Sequence, residues 1–320
     1  MRLPCVARSL PPNLDGSSCF MNSVLVAFLF PDGLRVLDAL LLLQPHSRPE
    51  EDVHSLRHCL SVVADSVRGR RSCSYSSLRG LVASSLHRLT GSDFSKGQHD
   101  ALDFLESLFR AFRIDGLFRT VHVVNKVAKE ASKCERTHST HAMYRQSMVP
   151  CILQNRLEVS KMFPFSETVH MDADTLIRTS VHFAGGPVLV LTRESVDARI
   201  GLSYGSLLSG STNGITIEVP NVRTKGSDDY LLQSVVCWSG MCSSKQSSGH
   251  YVCYVYSAPQ DEWFFFNDLN MSVEKEVHLQ RVPASVVDSS YTFVPGMEVH
   301  GRRNQFRPST NGCIFVYSLL

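Results

Sequence analysis

Apolar residues in the first third of the chain recur with the spacing that is typical of buried helices. From Cys19 to Phe30 they recur at offsets of three and four, and Pro31 and Gly33 would end the helix. A second apolar segment covers 34–43, and residues 100–112 again keep helical spacing after a glycine. We therefore predict three apolar helices in this part of the chain.

Beyond Gly116 the pattern changes to β-branched and aromatic runs, which are typical of strands. These runs are Val121–Val127, Pro187–Thr192, Ile215–Val219, Leu231–Trp238, Tyr251–Tyr256, Trp263–Phe266 and Ile314–Tyr317. Helices followed by mainly antiparallel strands indicate an α+β fold rather than a doubly wound sheet. Because no internal repeat or linker is evident, we expect residues 1–320 to form one unit with two lobes.

Residues 66–79 stand apart from these periodic segments. They contain Arg68, Arg70, Arg71, Arg79 and many serines. A basic recognition patch would have this composition, but a solvated loop is the more common structure for it. We interpret the segment as a loop and assign it no function.

The composition of the chain excludes several classes of protein. Its 32 Lys and Arg against 30 Asp and Glu give a net charge of +2, which is too balanced for a general nucleic-acid binder. The most apolar region, 24–43, is interrupted by proline and charged residues, so we expect no membrane contact. The beginning of the chain lacks the apolar core of a secretory signal, and its ten cysteines are scattered. We expect reduced thiols and an intracellular location, in the cytoplasm and/or nucleus.

Cys19 stands where a predicted helix begins. Unpaired amides and the positive end of the helix dipole stabilise a thiolate at such a position. The preceding small residues, Gly16, Ser17 and Ser18, would let a substrate backbone approach and would leave amides free to face an oxyanion. A lone Cys on a core helix is more often structural, so a nucleophilic Cys19 needs partners elsewhere in the chain.

His250 is a candidate partner because it precedes a predicted hairpin. If Tyr256 pairs with Trp263 across the connecting loop, His250 and Asn267 point to the same face. A nucleophilic Cys requires such a general base, together with an acceptor that fixes the tautomer of the base. A register shift of one residue would bring Asp268 to that face instead.

Five segments resemble, in order, the motifs of one known family. Cys19-Phe20-Met21-Asn22-Ser23 resembles the Cys-Tyr-Met-Asn-Ser box of the ubiquitin-specific proteases, a papain-like cysteine peptidase family. Residues 98–104 resemble its Gln-Gln-Asp-Ala-x-Glu-Phe box, and 249–251 with 263–268 resemble its His box. Residues 187–193 and 314–317 resemble its central and closing strands. The resemblance therefore covers nearly the whole chain.

The resemblance implies a papain-like cysteine protease fold and a role for each residue of the site. A helical thumb would occupy about 13–115, and an antiparallel β palm about 116–320. Cys19 would be the nucleophile, His250 the general base and later acid, and Asn267 the residue that orients the imidazole. Asp268 matches a neighbouring acidic position that assists in some members.

The implied substrate is ubiquitin or a ubiquitinated protein. Gln98 and Asp100 match positions near the cleft that hold the extended C-terminal tail of ubiquitin. The last glycine carbonyl of ubiquitin would then lie at Cys19 and form an acyl-enzyme that water hydrolyses. The resemblance thus implies a deubiquitinating thiol hydrolase without a cofactor.

The chain departs from the family pattern at the oxyanion donor. The family usually has an Asn five residues before the nucleophile, but this position is Leu14 here, and Asn13 stands one residue earlier. A small turn would bring Asn13 into place. Alternatively, the backbone amide of Cys19 would provide more of the stabilisation.

A second departure concerns zinc. Many members carry two Cys-x-x-Cys pairs in a fingers subdomain, and this chain contains no such pair. Cys134, His138, His141 and Cys151 are residue types that bind zinc, but their spacing is unfamiliar, and a polar surface loop explains them as well. We expect a shortened fingers region over 118–161 and no metal.

Two other functions remain open. The same fold could act on SUMO or another ubiquitin-like modifier, because recognition of the tail is shared between these substrates. The chain could instead be a catalytically inactive scaffold that binds ubiquitin. The displaced Asn13 favours a scaffold, whereas the joint presence of Cys19, His250 and Asn267 favours an enzyme.

Overall fold

The structure is a computed structural model that describes residues 10, 11, 13, 16–31, 50–70, 75, 77–113, 118–128, 138–146, 149–151, 166–172, 175–193, 210–211, 214–243, 246–268, 279–287 and 308–320. Within these residues, no helix is both long enough and apolar enough to cross a membrane.

Among the described residues, four helices form the first part of the fold. They are α1 (Cys19–Leu29), α2 (Glu50–Val67), α3 (Leu78–Thr90) and α4 (Ala101–Phe112). Helix α1 is buried along its whole length and packs against α2 and α4. The helices predicted over 19–30 and 100–112 are confirmed, and the one predicted over 34–43 lies outside the described residues. Two short helices, α5 (Ala284–Val287) and α6 (Pro308–Asn311), lie near the end of the chain.

The interpretation of residues 66–79 as a loop is wrong at both ends. Helix α2 extends to Val67, and α3 begins at Leu78 and therefore includes Arg79. The sequence does contain a helical signal for α2, because its buried residues keep offsets of three and four. These residues are Val53, Leu56, Leu60, Val63 and Val67.

Thirteen strands are present in the described part of the chain, and they include all seven that the sequence predicts. They are β1 (Phe118–Ala128), β2 (His138–Gln146), β3 (Val149–Cys151), β4 (Ser166–Asp172), β5 (Thr175–Phe183), β6 (Val188–Arg193), β7 (Gly210–Ser211), β8 (Gly214–Asn221), β9 (Gly226–Ser243), β10 (Gln246–Ser257), β11 (Glu262–Phe266), β12 (Gln280–Val282) and β13 (Gly312–Leu319). The α+β fold class is confirmed.

A four-stranded antiparallel sheet has the order β2-β1-β5-β4. Its strands begin at Phe118 and continue past residue 161, as far as Phe183. The predicted fingers region over 118–161 overlaps this sheet, and its assignment as shortened fingers stays a prediction.

A nine-stranded sheet carries the order β12-β11-β10-β9-β13-β6-β3, with β8 paired to β9 and β7 paired to β8. All its pairs are antiparallel except β3 with β6. Helix α1 packs against β10 and β9, so the helix that begins at Cys19 lies directly on the strand that contains His250. The core is continuous from the helices to the sheet.

Candidate active site

Cys19 is the first residue of α1, and Ser18 is the N-cap. The Ser18 carbonyl oxygen accepts the first helical hydrogen bond, from the Asn22 amide at 3.0 Å. The Ser18 hydroxyl does not cap the helix and instead donates to Asn13 Oδ1 at 3.0 Å. The amides of Cys19 and Phe20 face the Cys19 sulfur. The first turn of α1 therefore presents its N–H groups to the reacting atom.

The Cys19 thiol is only 1% exposed, and this burial raises its pKa to about 11. The amide of Tyr251, which hydrogen-bonds to the sulfur, opposes this rise, and the negative charge of Asp268 adds to it. The sequence argument expects the helix terminus to stabilise the thiolate. That contribution is present, but desolvation of the charged form outweighs it. In the free chain the thiol is protonated at neutral pH.

The side chain and the backbone of Asn13 both accept hydrogen bonds from residues just before Cys19. Asn13 Oδ1 accepts hydrogen bonds from both the amide and the hydroxyl of Ser18, each at 3.0 Å. The Gly16 amide donates to the Asn13 carbonyl oxygen at 3.3 Å, with Gly16 at φ +70°, where glycine is favoured. Asn13 Nδ2 is buried, and no described residue accepts a hydrogen bond from it. The side chain that carries this donor is thus anchored to Ser18, which directly precedes Cys19.

His250 and Asn267 meet as the hairpin argument predicts. Tyr256 pairs with Trp263 across the loop between β10 and β11. His250 Nε2 lies 2.9 Å from Asn267 Oδ1 and 3.5 Å from Asp268 Oδ1. Both oxygens are acceptors, so Nε2 carries the ring proton and Nδ1 is left as the basic nitrogen.

Asp268 is a buried carboxylate, and its side chain is 0% exposed. Its Oδ2 accepts a hydrogen bond from Asn22 Nδ2 at 2.8 Å. Asn22 belongs to α1 and lies one helical turn after Cys19. The bond therefore joins the nucleophile helix to the end of the β10–β11 hairpin. The sequence analysis assigned no role to Asn22. A polar residue within an otherwise apolar helix, one turn after Cys19, was nevertheless a usable signal.

Gly249, directly before His250, is covered by an indole ring. A Cβ atom at residue 249 would collide with the ring of Trp238, on the neighbouring strand β9. Only glycine fits at this close approach. Trp238 is half-buried, and its carbonyl oxygen accepts a hydrogen bond from Asn311.

Gln98 and Asp100 lie in the segment that precedes α4, and both are exposed. Gln98 Nε2 donates to the Gly249 carbonyl oxygen at 3.0 Å, so this residue lies beside the His250 strand. Asp100 is the N-cap of α4, and its Oδ1 accepts a hydrogen bond from the Leu102 amide at 2.7 Å. Asp100 therefore caps the helix that follows it.

Three of the four weak zinc candidates lie on described strands. The backbone places His138 and His141 on β2 of the four-stranded sheet and Cys151 on β3 of the nine-stranded sheet. Cys134 lies outside the described residues. The absence of a metal remains a prediction.

Comparison with known families gives one match. The family model described as ubiquitin carboxyl-terminal hydrolase matches residues 13–294. The match begins at Asn13 and includes Cys19, His250, Asn267 and Asp268. No curated protein sequence matches the chain.

The fold is similar to chains in solved SAGA DUB modules. In the Ubp8/Sgf11/Sus1/Sgf73 module bound to ubiquitin aldehyde, the matched chain is 13% identical with a TM-score of 0.61, and the match covers 100% of this chain and 72% of that one. In the module bound to monoubiquitin, the matched chain is 10% identical with a TM-score of 0.63, and the match covers 100% of this chain and 72% of that one. In the yeast SAGA DUBm with an Sgf73 mutant, the matched chain is 10% identical with a TM-score of 0.56, and the match covers 100% of this chain and 71% of that one. At these identities the likeness concerns the fold.

Proposed function

The chain belongs to the ubiquitin carboxyl-terminal hydrolase family, and from this premise we propose that it is a cysteine-type deubiquitinase with Cys19 as its nucleophile. The observation that carries the proposal is the position of the His250 strand. The Tyr251 amide hydrogen-bonds to the Cys19 sulfur while Asn267 holds the His250 ring at 2.9 Å. A buried thiol is thus combined with an oriented base, as nucleophilic catalysis requires.

The first step is transfer of the thiol proton from Cys19 to Nδ1 of His250. The raised pKa of Cys19 means that this transfer costs free energy in the free chain. Two features lower that cost. Asn267 holds the ring in the tautomer that accepts at Nδ1, and the carboxylate of Asp268 favours the imidazolium that forms.

The thiolate then attacks the carbonyl carbon of the last glycine of ubiquitin, and the carbonyl oxygen becomes an oxyanion. In this mechanism the Cys19 amide and Nδ2 of Asn13 donate hydrogen bonds to the oxyanion. Because Ser18 fixes the orientation of the Asn13 amide, the donor needs no reorganisation during the reaction. Asn13 can therefore act as an oxyanion donor although it stands one residue earlier than the Asn of the family pattern.

Collapse of the tetrahedral intermediate breaks the peptide or isopeptide bond, and the imidazolium of His250 gives its proton to the leaving amine. The product is a thioester between Cys19 and the glycine of ubiquitin. His250 next takes a proton from water, which attacks the thioester and releases the carboxylate and the thiol. Protons and bonds balance without a cofactor.

The tail of ubiquitin ends in Arg-Leu-Arg-Gly-Gly, and Asp100 supplies an exposed negative charge beside the cleft. The capping bond uses Oδ1, so a contact with an arginine would be made through Oδ2. Gln98, which already bonds to the strand of His250, would border the same path. The deubiquitinated proteins and the preferred type of ubiquitin chain follow from surfaces outside this site.

The test is the intact mass of the chain after incubation with ubiquitin that bears a C-terminal electrophile, beside the equivalent SUMO probe. We expect an adduct with ubiquitin that is absent in Cys19→Ala and retained in Cys59→Ala, a matched change of a partly exposed cysteine on α2. A reaction with the SUMO probe alone would instead assign the fold to a ubiquitin-like modifier. Absence of any adduct would favour a scaffold.

A further inference from the structure

Arg79, in the first turn of α3, connects this helix to two other segments of the chain, one of which directly precedes Cys19. Its Nη1 donates to the Ser17 hydroxyl at 2.6 Å, its Nε to the Phe94 carbonyl oxygen at 3.0 Å, and its Nη2 to the Gly97 carbonyl oxygen at 2.5 Å. The guanidinium carbon lies 5.7 Å from the centre of the Phe20 ring. The Arg79 side chain thus contacts Ser17 and Phe20, which flank the Ser18–Cys19 pair. It also contacts the segment that precedes α4.

The contact with Ser17 concerns the segment that carries the proposed oxyanion donor. Ser17 directly precedes Ser18, whose amide and hydroxyl orient Asn13. A shift of Ser17 would move the Ser18 amide and, with it, the side chain of Asn13. Displacements of about 1 Å at such positions reduce reaction rates by about 100-fold.

The contact with Gly97 concerns the other side of the cleft. Gly97 has φ +74° and directly precedes Gln98, whose side chain donates to the Gly249 carbonyl oxygen. His250 follows Gly249. Arg79 therefore connects, through residues 17 and 97, the segment of the oxyanion donor with the strand of the general base.

The geometry requires arginine rather than any cation. Three N–H groups of one planar guanidinium reach three acceptors on two separate segments. Lysine presents a single ammonium group on a flexible stem and has no rigid fork that spans these acceptors. The conservative Arg79→Lys change keeps the charge but loses the simultaneous contacts.

We propose that Arg79 is a positioning residue for the hydrolysis described above. It holds Ser17, and through Ser18 the side chain of Asn13, against residues 94–98, so that the oxyanion donors are in place when Cys19 attacks the carbonyl. The inference rests on the proposed function and adds a residue that the family match and the motif pattern leave without a role.

The test compares two reactions of the same thiol. Hydrolysis of a ubiquitin C-terminal reporter develops an oxyanion, whereas alkylation of Cys19 by iodoacetamide does not. We expect Arg79→Lys to lower the kcat for the reporter by about 10- to 100-fold, with the alkylation rate changed less than threefold. Arg88→Lys is the matched control, because Arg88 lies on the same helix, is largely exposed and pairs with Asp52 on α2. It should keep the wild-type kcat.

A double-mutant cycle tests the route through Ser17. Ser17→Ala removes one of the three acceptors, and we expect a decrease in kcat of about 3- to 10-fold in the wild-type chain. In the Arg79→Lys background the same change should have almost no further effect, because the contact is already lost.

The outcomes separate this inference from the proposed function. A wild-type chain that does not turn over the ubiquitin reporter overturns the proposed function, and this inference with it. Wild-type turnover with an unchanged kcat in Arg79→Lys overturns the inference alone. An equal decrease in hydrolysis and alkylation, or independent effects of Arg79→Lys and Ser17→Ala, would also overturn it, because Arg79 would then act through general stability.

Discussion

The candidate site has a strand side, formed by the β10–β11 hairpin, and a helix side, formed by the beginning of α1 and the residues before it. The two sides differ in how far they are prepared for catalysis. On the strand side, β10 and β11 hold His250 between Asn267 and Asp268, so the base already has its orientation and tautomer. On the helix side, the Cys19 thiol is protonated and the Asn13 amide donor is unused by the described residues. In the proposed mechanism, the base is therefore already oriented in the free chain, whereas the thiol has still to lose its proton and the Asn13 amide has still to meet the oxyanion.

We infer from this difference that the two sides affect different steps of the reaction. Changes on the strand side should alter proton transfer and its pH dependence. Changes on the helix side should alter stabilisation of the oxyanion, and therefore kcat, with little effect on alkylation. The following variants test that division.

The largest effect should follow removal of the base. His250→Ala should lower kcat/KM for a ubiquitin reporter by about 10²- to 10⁴-fold, because the proton of the thiol and that of the leaving amine lose their carrier. The matched variant His87→Ala, in which an exposed histidine of α3 is removed, should keep full activity. Comparable activity in both variants would remove His250 from the mechanism.

The next largest effect should appear at the oxyanion donor. Asn13→Asp keeps an acceptor for Ser18 but replaces the free N–H₂ donor with a negatively charged oxygen. We expect kcat to fall by about 10²- to 10³-fold with KM nearly unchanged, as measured by steady-state kinetics. Full activity of this variant would mean that the backbone amide of Cys19 stabilises the oxyanion without Asn13.

On the strand side, Asn267→Ala should lower kcat by about 10- to 100-fold, and Asp268→Ala should cost less. The reason is distance, since His250 Nε2 lies 2.9 Å from Asn267 and 3.5 Å from Asp268. Both variants are compared at equal folded fraction, because Asp268 also bonds to Asn22. The reverse order of activities would make the carboxylate the orienting group.

A smaller effect is expected for the proposed contact with the ubiquitin tail. Asp100→Asn preserves a good N-cap for α4 but removes the charge. An exposed charge contact contributes roughly 1 kcal/mol, so KM for a ubiquitin reporter should rise by about fivefold, with kcat and a minimal Gly-Gly reporter unaffected. Asp93→Asn, an exposed acid that bonds to the Ser95 amide, is the control. Equal KM values in the two variants would leave Asp100 a cap only.

The subtlest change concerns the pH dependence of the thiol. Because burial raises the pKa of Cys19 to about 11, its alkylation rate in the free chain should increase as pH rises through that value. Asp268 contributes to the raised pKa, so Asp268→Asn should move the midpoint to lower pH. Asp261→Asn, at the opposite end of the same hairpin, should not. A midpoint near neutral pH in the wild type would show that the ion pair with His250 forms without substrate.

Much of the strand side could be predicted from sequence, because alternation along a strand determines which side chains share a face. Pairing of Tyr256 with Trp263 was enough to bring His250 to Asn267, and the structure contains this register. The helix that begins at Cys19 could also be predicted, since its apolar spacing and Pro31 define it.

The helix side was less accessible to such reasoning. The pKa of Cys19 depends on how completely α1 is covered by the sheet and by other helices, which no local pattern reports. The composition of residues 66–79 placed Arg79 in a loop. Its contacts could not be predicted, because its partners are two backbone carbonyl oxygens and a hydroxyl 62 residues away. Side chain to backbone contacts of this kind leave no periodic signal in a sequence.

The close packing of Trp238 on Gly249 has a practical consequence. The chain contains two tryptophans, and the other, Trp263, is buried on β11. In a Trp263→Phe chain, all indole fluorescence would therefore come from a ring that lies against the residue before His250. Trp238 is in this sense a built-in optical reporter, through which occupation of the cleft could be followed in real time without attaching a dye.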